Sequence, residues 1–241
     1  MVGGFAGLKA VQRIGAGPSE ILVHVVSLSD AGEFAAALTS VETAQAARMV
    51  NTALRTRFLV SRGLRRRLLA ACLGMPADRL EFREDAAGKP RLVGDGGWDF
   101  NLSHAGDYVA VAVRRGPVGI DLEQHRRVRD APAIVRRYFH PDEAQAWQRL
   151  GKDRREAAFF LLWSAREAAM KCAGLGLARG MSVTRIDPVL LRQSEAAAPD
   201  SPLKSQTQAS PPAKVGEAAM SIHVLDAPEG YTLVVAAGHD H

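Results

Sequence analysis

Residues 118–124, "VGIDLEQ", set two carboxylates two residues apart in a run that otherwise reads as a β-strand. Strand side chains alternate with period two, so Gly119, Asp121 and Glu123 share one face and Val118, Ile120 and Leu122 the other. At about 3.3 Å per residue, the two carboxylates stand roughly 6.5–7 Å apart. Like charges that close repel unless water or a cation relieves them. The pair is therefore either a solvent-facing edge or half of a divalent-metal site, because hard cations such as Mg²⁺ take carboxylate oxygens. A third carboxylate, Glu167, sits in "FFLLWSAREAAMK" (159–171), which is apolar on nearly every side. A helix of that kind is buried, and a carboxylate on it needs a partner. Lys171, four residues on, offers an i,i+4 ion pair. The alternative is a third ligand for the same metal.

The elements that must position these groups are legible in outline. "EILVHVVSL" (20–28) predicts an opening strand. Between residues 43 and 73, Val50, Leu54, Phe58, Leu64, Leu68 and Cys72 fall near one stripe and predict a single long helix, closed by Gly74 and Pro76. Arg48, Arg55, Arg62 and Arg66 lie on its opposite, solvated face. Arg57 interrupts the stripe, where a cation is costly unless an anion meets it or its stem snorkels to water. "GKPRLV" (88–93) reads as a turn into a short strand. Strands follow in 96–113, and the turn "RRGP" (114–117) predicts that the carboxylate strand pairs back on Tyr108–Val113 as a hairpin. Helices are expected at 131–139, 141–150 and 153–173. The stretch 194–216, rich in Ala, Ser, Pro and Gln and without periodicity, is expected to be a disordered insert. "MSIHVLD" and "YTLVVAAG" predict a closing hairpin, and "GDYVAVAV" and "EGYTLVVA" echo each other across the two halves.

With 241 residues the chain suits one large domain or two of about 120. Hydrophobic residues are 47% and charged residues 24%, the proportions of a soluble globular protein. No apolar run approaches the ~20 residues of a membrane span, and the Gly-rich start with Lys9 does not read as a signal peptide. Cys72 and Cys172 lie in apolar helical patterns and show no metal-binding spacing, so two buried thiols in a reducing cytoplasm are expected. A net charge of +5 favours an anionic partner. Seven arginines fall from Arg48 to Arg67, but aromatics are only 6%, and they offer no stacking platform for single-stranded nucleic acid.

Four segments in order, G-K-P (88–90), N-L-S-H (101–104), G-I-D-L-E (119–123) and W-S-A-R-E-A-A-M-K (163–171), resemble the 4′-phosphopantetheinyl transferases, specifically the long, pseudodimeric, surfactin-synthetase-activating type. The resemblance covers roughly residues 20–190. It implies an α+β fold of two similar α/β halves, 1–117 and 118–241, in a pseudo-twofold arrangement with the cofactor site between them. It implies Mg²⁺ held by Asp121, Glu123 and Glu167, with coenzyme A as co-substrate. Arg57, Lys89, Pro90, Ser103, His104 and Lys171 match the family's coenzyme A contacts, although His104 taken alone reads as a structural histidine. Glu167 is the expected base and Lys171 the lysine near the pyrophosphate. The implied reaction moves 4′-phosphopantetheine from coenzyme A to a serine of an apo-acyl or peptidyl carrier protein and releases adenosine 3′,5′-bisphosphate. The expected enzyme is a cytoplasmic monomer that needs neither nucleic acid nor membrane. One position departs: the family's lysine before the glutamate is Arg166, and arginine and lysine are not interchangeable where geometry is tight. Two competing readings are a Mg²⁺-dependent phosphohydrolase using the same carboxylates and a non-catalytic, basic nucleic-acid-binding protein using the 48–67 arginines. The second leaves the three carboxylates without a role.

Overall fold

Each half of the chain opens with strand, runs through helices and returns as a hairpin whose last strand pairs back on an opening strand of the same half. The computed structural model describes residues 11–85, 88–94, 96–195 and 212–238, and the chain divides into two compact units, Met1–Arg115 and Gly116–His241. The first unit contains β1 (Gln12–Ile14), β2 (Ile21–Ser27), α1 (Ala31–Phe34), α2 (Ser40–Ala47), α3 (Thr52–Leu73), β3 (Phe82–Glu84), β4 (Pro90–Leu92), β5 (Trp98–Ala105) and β6 (Tyr108–Arg115). The second contains β7 (Val118–Gln124), α4 (Ala131–Tyr138), α5 (Pro141–Arg149), α6 (Arg155–Cys172), α7 (Leu177–Val183), β8 (Thr184–Ile186), α8 (Val189–Glu195), β9 (Pro212–Val215), β10 (Ala218–Leu225) and β11 (Tyr231–Gly238).

In the first unit the sheet order is β1-β2-β6-β5, and in the second β7-β11-β10-β9-β8. The trio β2-β6-β5 thus has the same antiparallel wiring as β7-β11-β10. The echo between "GDYVAVAV" and "EGYTLVVA" falls on β6 and β11, the strands that take this central place. The fold is α+β in both units. Helix α3 buries Val60, Leu64 and Leu68 in one core with Phe100, Val109, Val111 and Val113. Helix α6 buries Leu162, Ala165 and Ala169 in another with Ile222, Val234 and Ala236.

The long helices are held by the same device twice. In the first unit Glu42 closes a capping box with Thr39 at the start of α2, and its carboxylate accepts from Arg66 Nε at 2.7 Å. Arg66 Nη1 also donates to the carbonyls of Ala77 and Leu80. In the second unit Glu143 closes a capping box with His140 at the start of α5, and its carboxylate accepts from Arg166 Nη1 at 3.2 Å. Arg166 also donates to the carbonyls of Thr184 and Tyr138. A buried guanidinium is tolerated because its donors find a carboxylate and carbonyls.

Several expectations are corrected. The helix over 43–73 is two helices. The Asn51 side chain caps α3 by accepting from Leu54 N at 3.0 Å, and this local cap interrupts the periodic pattern. Val50 is 98% exposed and Leu54 55% exposed, so neither belongs to the core stripe. Arg66 is buried rather than solvated, and so is its neighbour Arg65, which lies over the Phe82 ring at 3.7 Å. The carboxylate strand does not pair back on β6, whose two edges are taken by β2 and β5. It pairs with β11, Asp121 opposite Val234 and Glu123 opposite Thr232. The disordered insert expected over 194–216 is overturned at both of its ends. Residues 194 and 195 end α8, and Pro212–Val215 form β9 between β8 and β10. Proline is acceptable there because it is the strand's first residue. The remainder, 196–211, lies outside the described residues.

Candidate active site

Strand β7 and helix α6 touch almost backbone to backbone. A side chain at Gly119 would collide with the Ala168 carbonyl and the Cys172 amide, so only glycine allows this approach. Because Gly119 faces α6, Asp121 and Glu123 face it too, by the alternation of the strand. Glu167 and Lys171, one turn apart on α6, meet them. Lys171 Nζ donates to Asp121 Oδ1 at 2.6 Å and to the Ile120 carbonyl at 3.2 Å. Asp121 is buried, while Glu123, Glu167 and Lys171 are half-buried. The predicted i,i+4 partner of Glu167 therefore reaches across to the strand.

Burial, followed by the Asp121 charge, pushes the Glu123 carboxyl up to about 7. Burial also raises Glu167, against the pull of Lys171 and with a further push from Asp121. Among the described residues, no three His, Cys, Asp or Glu side chains are drawn together as ready metal ligands. The face nonetheless fits a divalent cation chemically. Its donors are hard carboxylate oxygens, and the raised pKa values of Glu123 and Glu167 reflect desolvation and repulsion that a cation would relieve. A pH dependence follows. The folded-state pKa of Glu123 lies above the ordinary value of 4.5, so between 4.5 and about 7 the folded chain holds a proton that the unfolded chain has lost. Stability of the metal-free protein should then fall as pH rises through this window. Glu123→Gln should flatten the fall when urea unfolding is followed across pH in the presence of a chelator. An equally steep fall in the variant would contradict the assignment.

The first unit holds the remaining predicted residues. Arg57 is half-buried on α3, and its Nε is buried with no hydrogen-bond partner among the described residues. Lys89 precedes Pro90, which opens β4, and its Nζ donates to Asp99 Oδ2 at 2.9 Å. Ser103 and His104 are neighbours on β5 and so point to opposite faces. Ser103 is half-buried and His104 exposed, so the two do not share a face as a ready clamp.

The family described as the 4′-phosphopantetheinyl transferase superfamily matches residues 117–219, and that described as 4′-phosphopantetheinyl transferase, N-terminal, matches residues 28–115. The chain is 33% identical over 173 residues to 4′-phosphopantetheinyl transferase HetI of Nostoc sp., covering 68% of this chain and 73% of that protein. The chain belongs to the 4′-phosphopantetheinyl transferase superfamily. Its similarity to 4′-phosphopantetheinyl transferase psf-1 of Bacillus pumilus is 37% over 126 residues, covering 52% of this chain and 53% of that protein. A 4′-phosphopantetheinyl transferase of Bacillus subtilis is 30% identical over 183 residues, covering 76% of this chain and 74% of that protein. The chain therefore spans about half the length of one of these relatives and about three quarters of the other two.

In this superfamily member, Arg166 is turned away from the carboxylate face. It sits one residue before Glu167, about a quarter-turn around the helix, and is spent on Glu143 and the carbonyls of Thr184 and Tyr138. Sequence reasoning also missed Asp85, Arg91 and Asp99, which surround Lys89 in an ion network. The alternation Asp99, Asn101, Ser103 on one strand face was the available signal. No described helix is long and apolar enough to cross a membrane.

Proposed function

We propose that this chain transfers the 4′-phosphopantetheine group of coenzyme A to a serine of an acyl or peptidyl carrier protein and works as a cytoplasmic monomer. The observation that carries the reading is the meeting of Asp121, Glu123, Glu167 and Lys171 on the β7–α6 face, within the segment that matches the superfamily. Asp121, Glu123 and Glu167 would hold Mg²⁺, which when bound would neutralise charge on the pyrophosphate. Lys171 presents an ammonium at the same face and would bind a pyrophosphate oxygen as a point charge. Glu167 would take the proton of the carrier serine, directly or through a water. The serine oxygen then forms a bond to the pantetheine-side phosphorus. The bond from that phosphorus to the bridging oxygen breaks, and adenosine 3′,5′-bisphosphate leaves.

Lys89, Pro90, Ser103, His104 and Arg57 would bind the nucleotide end of coenzyme A. Arg57 has the plainest support, since its buried Nε lacks a protein acceptor among the described residues and a phosphate oxygen would supply one. Arg57→Ala should weaken coenzyme A binding by about 1.5–3 kcal/mol, the range for a hydrogen bond to a charged group. Dephospho-coenzyme A should lose less if the contact is to the 3′-phosphate. Calorimetric titration with both ligands measures this, and unchanged affinity with lowered stability would assign Arg57 to packing alone. The function itself is tested by incubating the protein with coenzyme A, Mg²⁺ and apo-carrier protein and weighing the carrier. Hydrolysis of coenzyme A with the carrier unmodified would favour the phosphohydrolase instead.

A further inference from the structure

Asp99 is buried at the start of β5 and belongs to none of the proposed metal or coenzyme A contacts. Its two oxygens take two cations, one from the turn that precedes β4 and one from β4 itself. Lys89 Nζ donates to Oδ2 at 2.9 Å and Arg91 Nη1 to Oδ1 at 3.0 Å. Asp85 holds the same turn from the other side, accepting from the Lys89 amide at 2.9 Å and from Arg91 Nε at 3.0 Å. The turn is closed by Gly88 N donating to the Asp85 carbonyl and Asp85 N to the Lys89 carbonyl.

The Lys89–Asp99 pair is well withdrawn from water, with side chains 11% and 10% exposed. A pair so desolvated gains little net stability over an apolar one, so stability is a weak account of why it is there. Position is a better account. A free lysine side chain has several rotamers to lose when it is fixed, and here that ordering is complete before any ligand arrives. Asp99 also shares its β5 face with Asn101 and Ser103, the last about 13 Å along the strand.

We propose that Asp99 is a positioning residue, which holds Lys89 and Arg91 so that the G-K-P turn is fixed against the strand carrying Ser103. Coenzyme A then meets donors already set in place. The inference rests on the proposed binding of coenzyme A, and it assigns Asp99 no contact with the reacting atoms.

The test compares Asp99→Asn, Lys89→Gln and the double variant by direct titration with coenzyme A, by steady-state transfer and by thermal melting. Asp99→Asn should raise KM and weaken binding about tenfold, the scale of a lost charge-assisted hydrogen bond, while leaving kcat near the wild-type value. On the Lys89→Gln background the same change should cost less than it does alone, because Asp99 acts partly through Lys89. A folded Asp99→Asn protein with unchanged coenzyme A affinity would overturn the inference. So would a lowered melting temperature with unaltered KM, which is the signature of a purely structural acid. If the wild-type protein binds no coenzyme A, the reading beneath the inference fails with it. If the wild type binds coenzyme A and transfers while the Asp99 variant matches it, the inference alone fails.

Discussion

Glu167→Gln should lower transfer by about 10²-fold or more, the scale expected when a general base or a charge-stabilising group is lost. The substitution is nearly isosteric, and it removes a carboxylate whose burial and proximity to Asp121 already disfavour its charge. The fold should therefore keep its melting temperature or gain slightly. Steady-state transfer and thermal melting together check this, and near-normal turnover would remove Glu167 from the mechanism. Asp121 is a less clean probe. Its carboxylate pairs with Lys171 at 2.6 Å in a largely buried place, so Asp121→Ala strands an ammonium as well as removing the proposed ligand. Lost activity in that variant would mix the two effects.

Arg166→Ala should destabilise the fold by about 3–5 kcal/mol, the cost of breaking a buried ion pair from one side. The guanidinium is almost fully buried. Its removal leaves Glu143, which is itself fully buried, without the Arg166 cation, and takes a donor from each of the carbonyls of Tyr138 and Thr184. Arg166→Lys should recover only part of the loss, since one ammonium cannot reproduce the planar fork that reaches α4, α5 and β8. Chemical denaturation of the two variants measures both. If Arg166 instead bound a phosphate of coenzyme A, Arg166→Ala would weaken coenzyme A while leaving the unfolding midpoint in place.

The site was legible where its logic was local. Period-two alternation put Asp121 and Glu123 on one face, and Gly119 on that face is what admits α6. The apolar wrap of 159–171 marked a buried helix, on which Glu167 and Lys171 stood out as charges needing partners. Non-local pairing was not legible. A short turn after Tyr108–Arg115 suggested a hairpin, but the partner of β7 is β11, more than a hundred residues away in sequence, and no local signal specifies it. The same limit hid the burial of Arg66 and Arg166. Arg66 looks like a member of a solvated, basic helix face, and Arg166 like a stand-in for the family's lysine, until Glu42 and Glu143, each more than twenty residues upstream, are placed beside them. Composition misled at 212–215, because "PAKV" is too short to signal a strand by itself and becomes one through β8 and β10 on either side. The stripe that Arg57 interrupts is itself partly wrong, since Val50 and Leu54 are exposed.

The central claim, that the β7–α6 carboxylates serve group transfer to a protein serine, is tested most directly by mass spectrometry of the acceptor. Apo-carrier protein is incubated with coenzyme A, Mg²⁺ and either the wild-type protein or Glu167→Gln, and the intact carrier is weighed over time. The account predicts that the wild type adds one phosphopantetheine to the carrier serine and that the folded variant does so at a rate lower by about 10²-fold. A carrier that stays unmodified with the wild type across acyl and peptidyl carriers, or is modified equally fast by the variant, would contradict it.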